Sequence, residues 1–533
     1  MLLRPTLWLL LATLLGVYGG NVFRHIQRRV FLSKEQEARS HLARGMQLHL
    51  APQLSMPKEM MLTQLLDHFN RQEKRTFKQR YYVNDAYWQK PHGPVFLYIG
   101  GEASLSPYSV QYGHHVEMAQ QYKALLVALE HRYYGVSLNE DGLTDENIHF
   151  LSSQQALADL ASFHLFITQQ YNMSNSNKWI CFGGSYPGSL SAWFRLKFPH
   201  LVYAAVSSSA PVRAQLDFTG YNQVVAASLS NPVVGGSKEA VRKAFQVVDK
   251  MLEAGNLSVL EKDFFSCGNL SLPEDQSQLV SNLADIFMGA VQYDQEITGS
   301  NIADVCNIMT SGPSYIQLIR ILQRYLEREG IKCLDNSYQM ELLVMRNTSL
   351  SPSGAGERQW YYQTCTEFGY YQTCEDSRCP FSPLMTLQSQ VQLCQEVFGV
   401  PLSSVDESVH FTNEYYGADH PKSSRILFVN GDIDPWHALS VLSNQSRSEL
   451  AILINGTSHC ANMNSARPTD TFPLKMARLI LIIILHDSLS IPKDVYRIIQ
   501  NNYDLVYGYP GHLLSPSQYE ETSPDFQEST FLQ

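Results

Sequence analysis

The chain has 533 residues, 44% hydrophobic and 17% charged. That composition excludes a disordered chain, and the length exceeds what one compact core usually takes, so two domains or one domain with a large insertion is expected. A net charge of −10 excludes nucleic acid as the main partner and suits a protein that stays soluble in mild acid.

The chain opens "MLLRPTLWLLLATLLGVYGG". One basic residue, Arg4, precedes an apolar stretch from Leu7 to Leu15, with small residues at Gly16, Gly19 and Gly20. Residues 1–20 therefore read as a cleaved signal peptide, too short to span a bilayer well. Residues 21–60 are polar and mixed and read as a propeptide or flexible arm. No later apolar run reaches transmembrane length; "LILIIIL" at Leu479–Leu485 is core material of helix or strand size. Six N-x-S/T sequons, at Asn172, Asn256, Asn269, Asn347, Asn444 and Asn455, fit glycosylation in the secretory pathway. Nine cysteines fit an oxidising compartment, and the odd number leaves at least one thiol unpaired.

From about residue 61 short apolar runs alternate with helical spacing. Pro94–Gly101 ("PVFLYIGG") and Ala124–Gly135 ("ALLVALEHRYYG") read as strands. Ser152–Tyr171 reads as a helix with Leu157, Leu160, Ala161 and Leu165 on one face. "WICFGGS" reads as a strand, "SLSAWFRLKFP" as a helix ending at Pro199, and Val202–Pro211 as the next strand. Strands alternating with helices imply parallel pairing with crossover helices, and continuous apolar runs suit strands covered on both faces. Between 214 and 404 strand-like runs thin out and helical patterns dominate. Seven cysteines lie between Cys267 and Cys394, so this region reads as a disulfide-containing helical insertion. The strand-then-turn pattern returns at Arg425–Leu439 and Leu450–Met463. The expected organisation is an α/β core split into 61–213 and 405–487, a helical cap domain at 214–404, and a tail at 488–533 with no readable pattern.

The stretch "WICFGGSYPGSL" (Trp179–Leu190) carries the candidate nucleophile. A serine on a sharp strand-to-helix turn, two residues after a glycine, is the arrangement of α/β-hydrolases. Gly183 and Ser185 meet that requirement, and the flanking strand and helix supply the context. The second glycine of the motif is replaced by Pro187. Proline suits a first helical turn, and the oxyanion donor needed is the N–H of Tyr186, so no essential donor is lost. Because a residue before proline is pushed from the helical region, the Tyr186 N–H is expected to tilt, with reduced or altered activity as the worst outcome.

A serine hydroxyl needs a histidine to accept its proton and a carboxylate to orient that histidine. In chain order after Ser185, "NGDIDPWH" offers Asp432, Asp434 and His437, and "NGTSHC" offers His459. His459 is favoured because it follows its own strand; the pattern does not choose between the two acids. No H-E-x-x-H or paired-cysteine zinc spacing and no phosphate loop is found, so no metal or cofactor is expected. "CEDSRC" (Cys374–Cys379) reads as disulfide chemistry. The aromatic run Arg358–Cys374 reads equally well as core or as the wall of an apolar pocket.

"GGSY", "NGDIDPW" with "GTSHC", "EHRYYG", "QTCTEF" and "LKFPHL" together resemble the S28 serine peptidases over about residues 60–485. The resemblance implies an α/β-hydrolase core with a helical cap, Ser185 as nucleophile, Asp434 as the acid, and His459 as the base. It implies an oxyanion hole from the Tyr186 N–H and the Gly100–Gly101 loop. It also implies peptide substrates cleaved near proline at a chain end, in a lysosomal or endosomal vesicle or outside the cell. A homodimer is among the assemblies this reading allows. Relatives carry Gly or Ala where this chain has Pro187, and histidine or cysteine where it has Cys460. Two rivals follow from the same residues: a hydrolase-fold binding protein with little or no turnover, and an esterase on the same core.

Overall fold

The computed structural model describes residues 22–47, 56–296, 299–349 and 356–489. The stretch read as a signal peptide and nearly all of the tail read from 488 lie outside the described residues.

Eight strands form one sheet: β1 (Met60–Leu65), β2 (Thr76–Asn84), β3 (Val95–Ile99), β4 (Leu125–Leu129), β5 (Trp179–Gly184), β6 (Ala204–Ser208), and, after two cap strands, β9 (Ile426–Gly431) and β10 (Glu449–Ile454). Their order is β1-β2-β4-β3-β5-β6-β9-β10. From β4 to β10 every neighbour is parallel, while β1–β2 and β2–β4 are antiparallel. The central strands are buried on both faces, which is why they read as unbroken apolar runs. Alternate residues serve opposite faces. Val95, Leu97, Leu125, Val127 and Cys181 pack with the helices Ser153–Gln170 and Tyr186–Lys197. Phe96, Leu126, Ala128, Ile180 and Phe182 pack with the helices His114–Tyr122 and Phe472–Leu489. The "LILIIIL" run is therefore a helix laid on the second face. This is the three-layer α/β-hydrolase arrangement.

The edge pair β1–β2 was not anticipated, because β2 alternates exposed and buried residues over only part of its length. The expected helix at Ser152–Tyr171 is found at Ser153–Gln170, started by Ser152, whose side chain accepts from the Gln155 N–H.

The insertion is helical as expected. Its largest helices span Lys238–Glu253, Pro273–Gln292 and Ser314–Glu329. Three disulfides, Cys267–Cys333, Cys365–Cys394 and Cys374–Cys379, all lie within it, and Cys181, Cys306 and Cys460 are free. A short parallel pair, β7 (Gln215–Asp217) and β8 (Gly369–Tyr371), joins the start of the insertion to its later part. Three-residue strands leave no period in a sequence.

Within the stretch read as a propeptide or flexible arm, Val22–Gln47 forms one helix. Val22, Ile26, Val30 and Ala38 are buried. Its first N–H groups donate to Asn282 Oδ1 (3.3 Å) and Asp285 Oδ2 (3.2 Å) on the cap, supplying acceptors for donors a helix start cannot satisfy internally. Further along, Glu35 accepts from Ser106 Oγ (2.8 Å) and Glu37 pairs with Arg467, both on the core.

Candidate active site

β5 ends in Gly183–Gly184, and Ser185 takes φ 62° and ψ −137° before the helix Tyr186–Lys197 begins. Such a conformation is costly for a residue with a side chain and persists where the surroundings enforce it. Three contacts enforce it here. The Ser185 N–H donates to the Ser208 carbonyl at 2.9 Å. A Cβ at Gly183 would lie 2.0 Å from the Pro187 carbonyl oxygen, so only glycine lets the strand and helix backbones close on each other. The Pro187 ring lies against the loop after β3, where a Cβ at Gly101 would sit 2.3 Å from Pro187 Cγ. The proline that departs from the usual motif is thus matched by a glycine across from it, and it occupies the first helical turn, where it removes no hydrogen bond.

The loop after β9 separates the two candidate acids. Asp432 accepts from Asn455 Nδ2 (3.1 Å) and the Gly456 N–H (2.7 Å), bracing the turn after β10. Asp434 is fully buried. Its Oδ1 accepts from the Trp436 N–H (3.0 Å), and its Oδ2 lies 2.9 Å from Nδ1 of His459. The His437 ring instead meets the Asp434 backbone carbonyl at 2.7 Å. So the geometry brings Asp434 and His459 together and gives Asp432 and His437 local turn roles. Burial opposes charge on the His459 imidazole, yet Asp434, joined by Cys460, holds its pKa well above the ordinary value.

The loop that carries His459 is tied to the cap and to the residues at the end of β6. The His459 N–H donates to the Gln292 carbonyl at the end of the cap helix Pro273–Gln292 (3.0 Å). The Cys460 N–H donates to Ser209 Oγ (2.9 Å), and Asn462 Nδ2 donates to Ser208 Oγ (2.8 Å). Cys460 and Met463 press on the backbone at Gly184: a Cβ there would meet their sulfurs at 2.9 and 2.3 Å. Tyr293, next on the cap, stands edge-on to the His459 ring at 6.1 Å.

The expected oxyanion donors divide. Gly100 is ruled out, because its N–H already donates to the Leu129 carbonyl at 2.9 Å in line with the sheet. The N–H groups of Gly101 and Tyr186 take no partner among the described residues. Tyr186 is further fixed through its side chain, which the sequence reading did not foresee. His131 Nδ1 meets the Arg132 carbonyl at 2.7 Å, and a carbonyl only accepts, so the proton sits on Nδ1. Nε2 then accepts from the Tyr186 hydroxyl (2.9 Å), which accepts from Gln363 Nε2 (3.0 Å), while Gln363 Oε1 accepts from Tyr134 (2.6 Å). Burial pushes the His131 pKa down to about 4, which keeps the ring neutral and the chain of donors unidirectional. The signals for this network were the quoted "EHRYYG" and "QTCTEF".

Of the two readings of the aromatic run, the structure gives core: Phe368 and Tyr370 are buried, with Trp360 packed against them. Trp360 and Phe368 lie 5.7 and 5.4 Å from the Tyr186 ring, and Tyr370 stands edge-on to Trp436 at 5.4 Å. All six sequon asparagines are exposed. No helix among the described residues is long and apolar enough to cross a membrane.

The sheet order, strained serine turn and buried Asp–His pair define a hydrolase of the α/β class. Residues 64–481 match the family model described as serine carboxypeptidase S28. The chain is 44% identical to the human thymus-specific serine protease over 474 residues, covering 86% of this chain and 92% of that one. It is 29% identical to the mouse lysosomal Pro-X carboxypeptidase, covering 78% of this chain and 86% of that one. Among solved structures, a proline iminopeptidase from Mycobacterium smegmatis aligns with 81% of this chain and 99% of its own at 11% identity and a TM-score of 0.34. The chain belongs to the S28 family and is a serine-type peptidase.

Proposed function

We propose that the protein is an exopeptidase that cleaves peptides near proline at a chain terminus, with Ser185, His459 and Asp434 as its triad. The observation that carries this reading is the buried Asp434–His459 bond; the strained strand-to-helix turn at Ser185 supports it. Ser185 Oγ attacks the scissile carbonyl while His459 takes its proton. Asp434 keeps the ring in the tautomer with Nδ1 protonated and stabilises the imidazolium. The N–H groups of Gly101 and Tyr186 receive the oxyanion. His459 then returns the proton to the leaving amine, leaving an acyl-enzyme on Ser185, and water activated by the same histidine releases the product.

The partly exposed ring of Trp360, backed by the buried Phe368 and Tyr370, offers apolar surface to a proline ring, and the cap approaching through Gln292 and Tyr293 would close the cleft beyond the chain end. The apolar leader, six exposed sequons and three disulfides fit a route through the secretory pathway to an acidic vesicle or the exterior, and one relative is named as lysosomal. Residues 22–47 are the segment whose removal would mark a propeptide.

Purified full chain and Ser185→Ala, offered proline-containing peptides beside acyl esters at pH 5 and pH 7, test the reading. Release of terminal residues by the wild type alone supports it. Turnover of esters without peptides would make the protein an esterase, and equal turnover by both chains would remove Ser185 from the chemistry.

A further inference from the structure

Besides Ser185, two non-glycine residues of the site take left-handed backbone: Ser209 at φ 49° and Cys460 at φ 58°. Such residues are uncommon and persist where the surroundings hold them. These two hold each other. The Cys460 N–H donates to Ser209 Oγ at 2.9 Å. Cys460 directly follows the base, and Ser209, which is buried, directly follows β6.

The end of β6 is bonded to every loop that brings a member of the proposed triad. The Ser208 carbonyl accepts from the Ser185 N–H (2.9 Å). The Ser209 N–H donates to the Val429 carbonyl (2.8 Å) on β9, the strand that leads to Asp434. The Ser208 hydroxyl accepts from Asn462 Nδ2 (2.8 Å) and the Ser209 hydroxyl from the Cys460 N–H. The two amides on either side of the base are therefore divided between the two halves of the molecule. The His459 N–H goes to Gln292 of the cap, and the Cys460 N–H goes to Ser209 of the core. Among these bonds, only the one to the Ser209 hydroxyl holds a main-chain amide of the base loop to the core.

We propose that Ser209 is a positioning residue for the base: its hydroxyl fixes the backbone beside His459 on the same frame that carries Ser185 and Asp434. The proposal rests on the catalytic reading of those three residues. Without the hydroxyl, the amide next to the base loses its acceptor on the core, and the backbone of the base follows the cap. The loop itself stays folded. Arg478, buried in the helix Phe472–Leu489, donates to the carbonyls of Ala461 (3.0 Å) and Asn464 (2.9 Å), and Asn462 keeps its bond to Ser208. A misplacement of about 1 Å is enough to cost a reaction about a hundredfold, so the loss falls on rate and not on folding.

The test measures labelling of the full chain by a fluorophosphonate over a range of probe concentrations, for the wild type, Ser209→Ala, Ser209→Gly and Ser209→Cys. Ser209→Ala should lower the maximal labelling rate roughly ten- to a hundredfold, with the half-saturating concentration within about twofold and the final labelled fraction unchanged. Ser209→Gly should lose as much. Glycine takes left-handed backbone freely, so a matching loss assigns the effect to the hydroxyl and not to strain. Ser209→Cys, similar in shape and a weak acceptor, should recover part of the rate. A wild-type rate in Ser209→Ala would overturn the proposal. So would a rate restored by glycine, a change confined to the half-saturating concentration, or a loss matched by a smaller labelled fraction. A wild type that is labelled while Ser209→Ala is labelled as fast counts against the positioning role alone. A wild type that is never labelled would bring down the catalytic reading, and the positioning role with it.

Discussion

The α/β core and the inserted cap reach the same site by different means. The core fixes Ser185, Asp434 and His459 by backbone proximity: glycines at 183 and 184 allow strand, helix and base loop to touch, and main-chain bonds tie Ser185 to Ser208. The cap touches the base through one carbonyl, Gln292 O, and one ring, Tyr293. Close packing of backbones tolerates no added atom, whereas contact through helix ends and side chains can adjust. On the proposed function, chemistry falls to the rigid half, and access and selection to the half that can be remade.

This difference can be broken or sharpened by mutation. The largest effect is expected at Gly183. Gly183→Ala has no room, so it should yield little folded protein or cost several kcal/mol in a denaturant titration, whereas Gly268→Ala in the cap, with no atom near its Cβ position, should leave the midpoint unchanged. Next comes Asp434→Asn, which should lower kcat/KM by roughly 10³–10⁴-fold, since the tautomer of His459 is no longer specified. Its pH profile carries a sign. The base must be neutral, so the acid limb marks His459 losing its proton, and Asp434 raises that pKa. The residual activity of Asp434→Asn should therefore show its acid limb at lower pH than the wild type.

A smaller effect is expected at Tyr186→Phe. Removing the hydroxyl takes away a partner of His131 Nε2 and of Gln363 Nε2, at about 1–3 kcal/mol of stability, and loosens the residue whose N–H is proposed to receive the oxyanion. A fall in kcat of up to about tenfold with KM little changed is expected. The smallest effect concerns Glu367, whose carboxyl burial pushes up to about 7 despite donors from Ser153 and Gln363. Between its unfolded value of 4.5 and about 7 the native state holds the extra proton, so stability falls as pH rises through that window. In Glu367→Gln the decline in melting temperature from pH 5 to pH 8 should be shallower by a few degrees.

Much of this was legible in the sequence where a residue's neighbours along the chain decide its role. The buried strands, the turn at Ser185 and the helix from Ser153 follow from short-range pattern. The acid was not legible from pattern, because Asp432 and Asp434 differ only in what the turn after β10 places beside them. Gly100 and Gly101 likewise differ by one sheet hydrogen bond, to Leu129, which no local motif encodes. The helix Val22–Gln47 went unread as structure because its buried positions are few and its partners lie some 260 residues away, on the cap.

The central claim is that Ser185 is the one hydroxyl the molecule activates. Peptide mapping of the full chain after reaction with a fluorophosphonate tests it most directly. The account predicts a single phosphonyl adduct on Ser185, formed far more slowly when His459 is replaced by alanine. An adduct on another residue, or none on a folded chain, would contradict it.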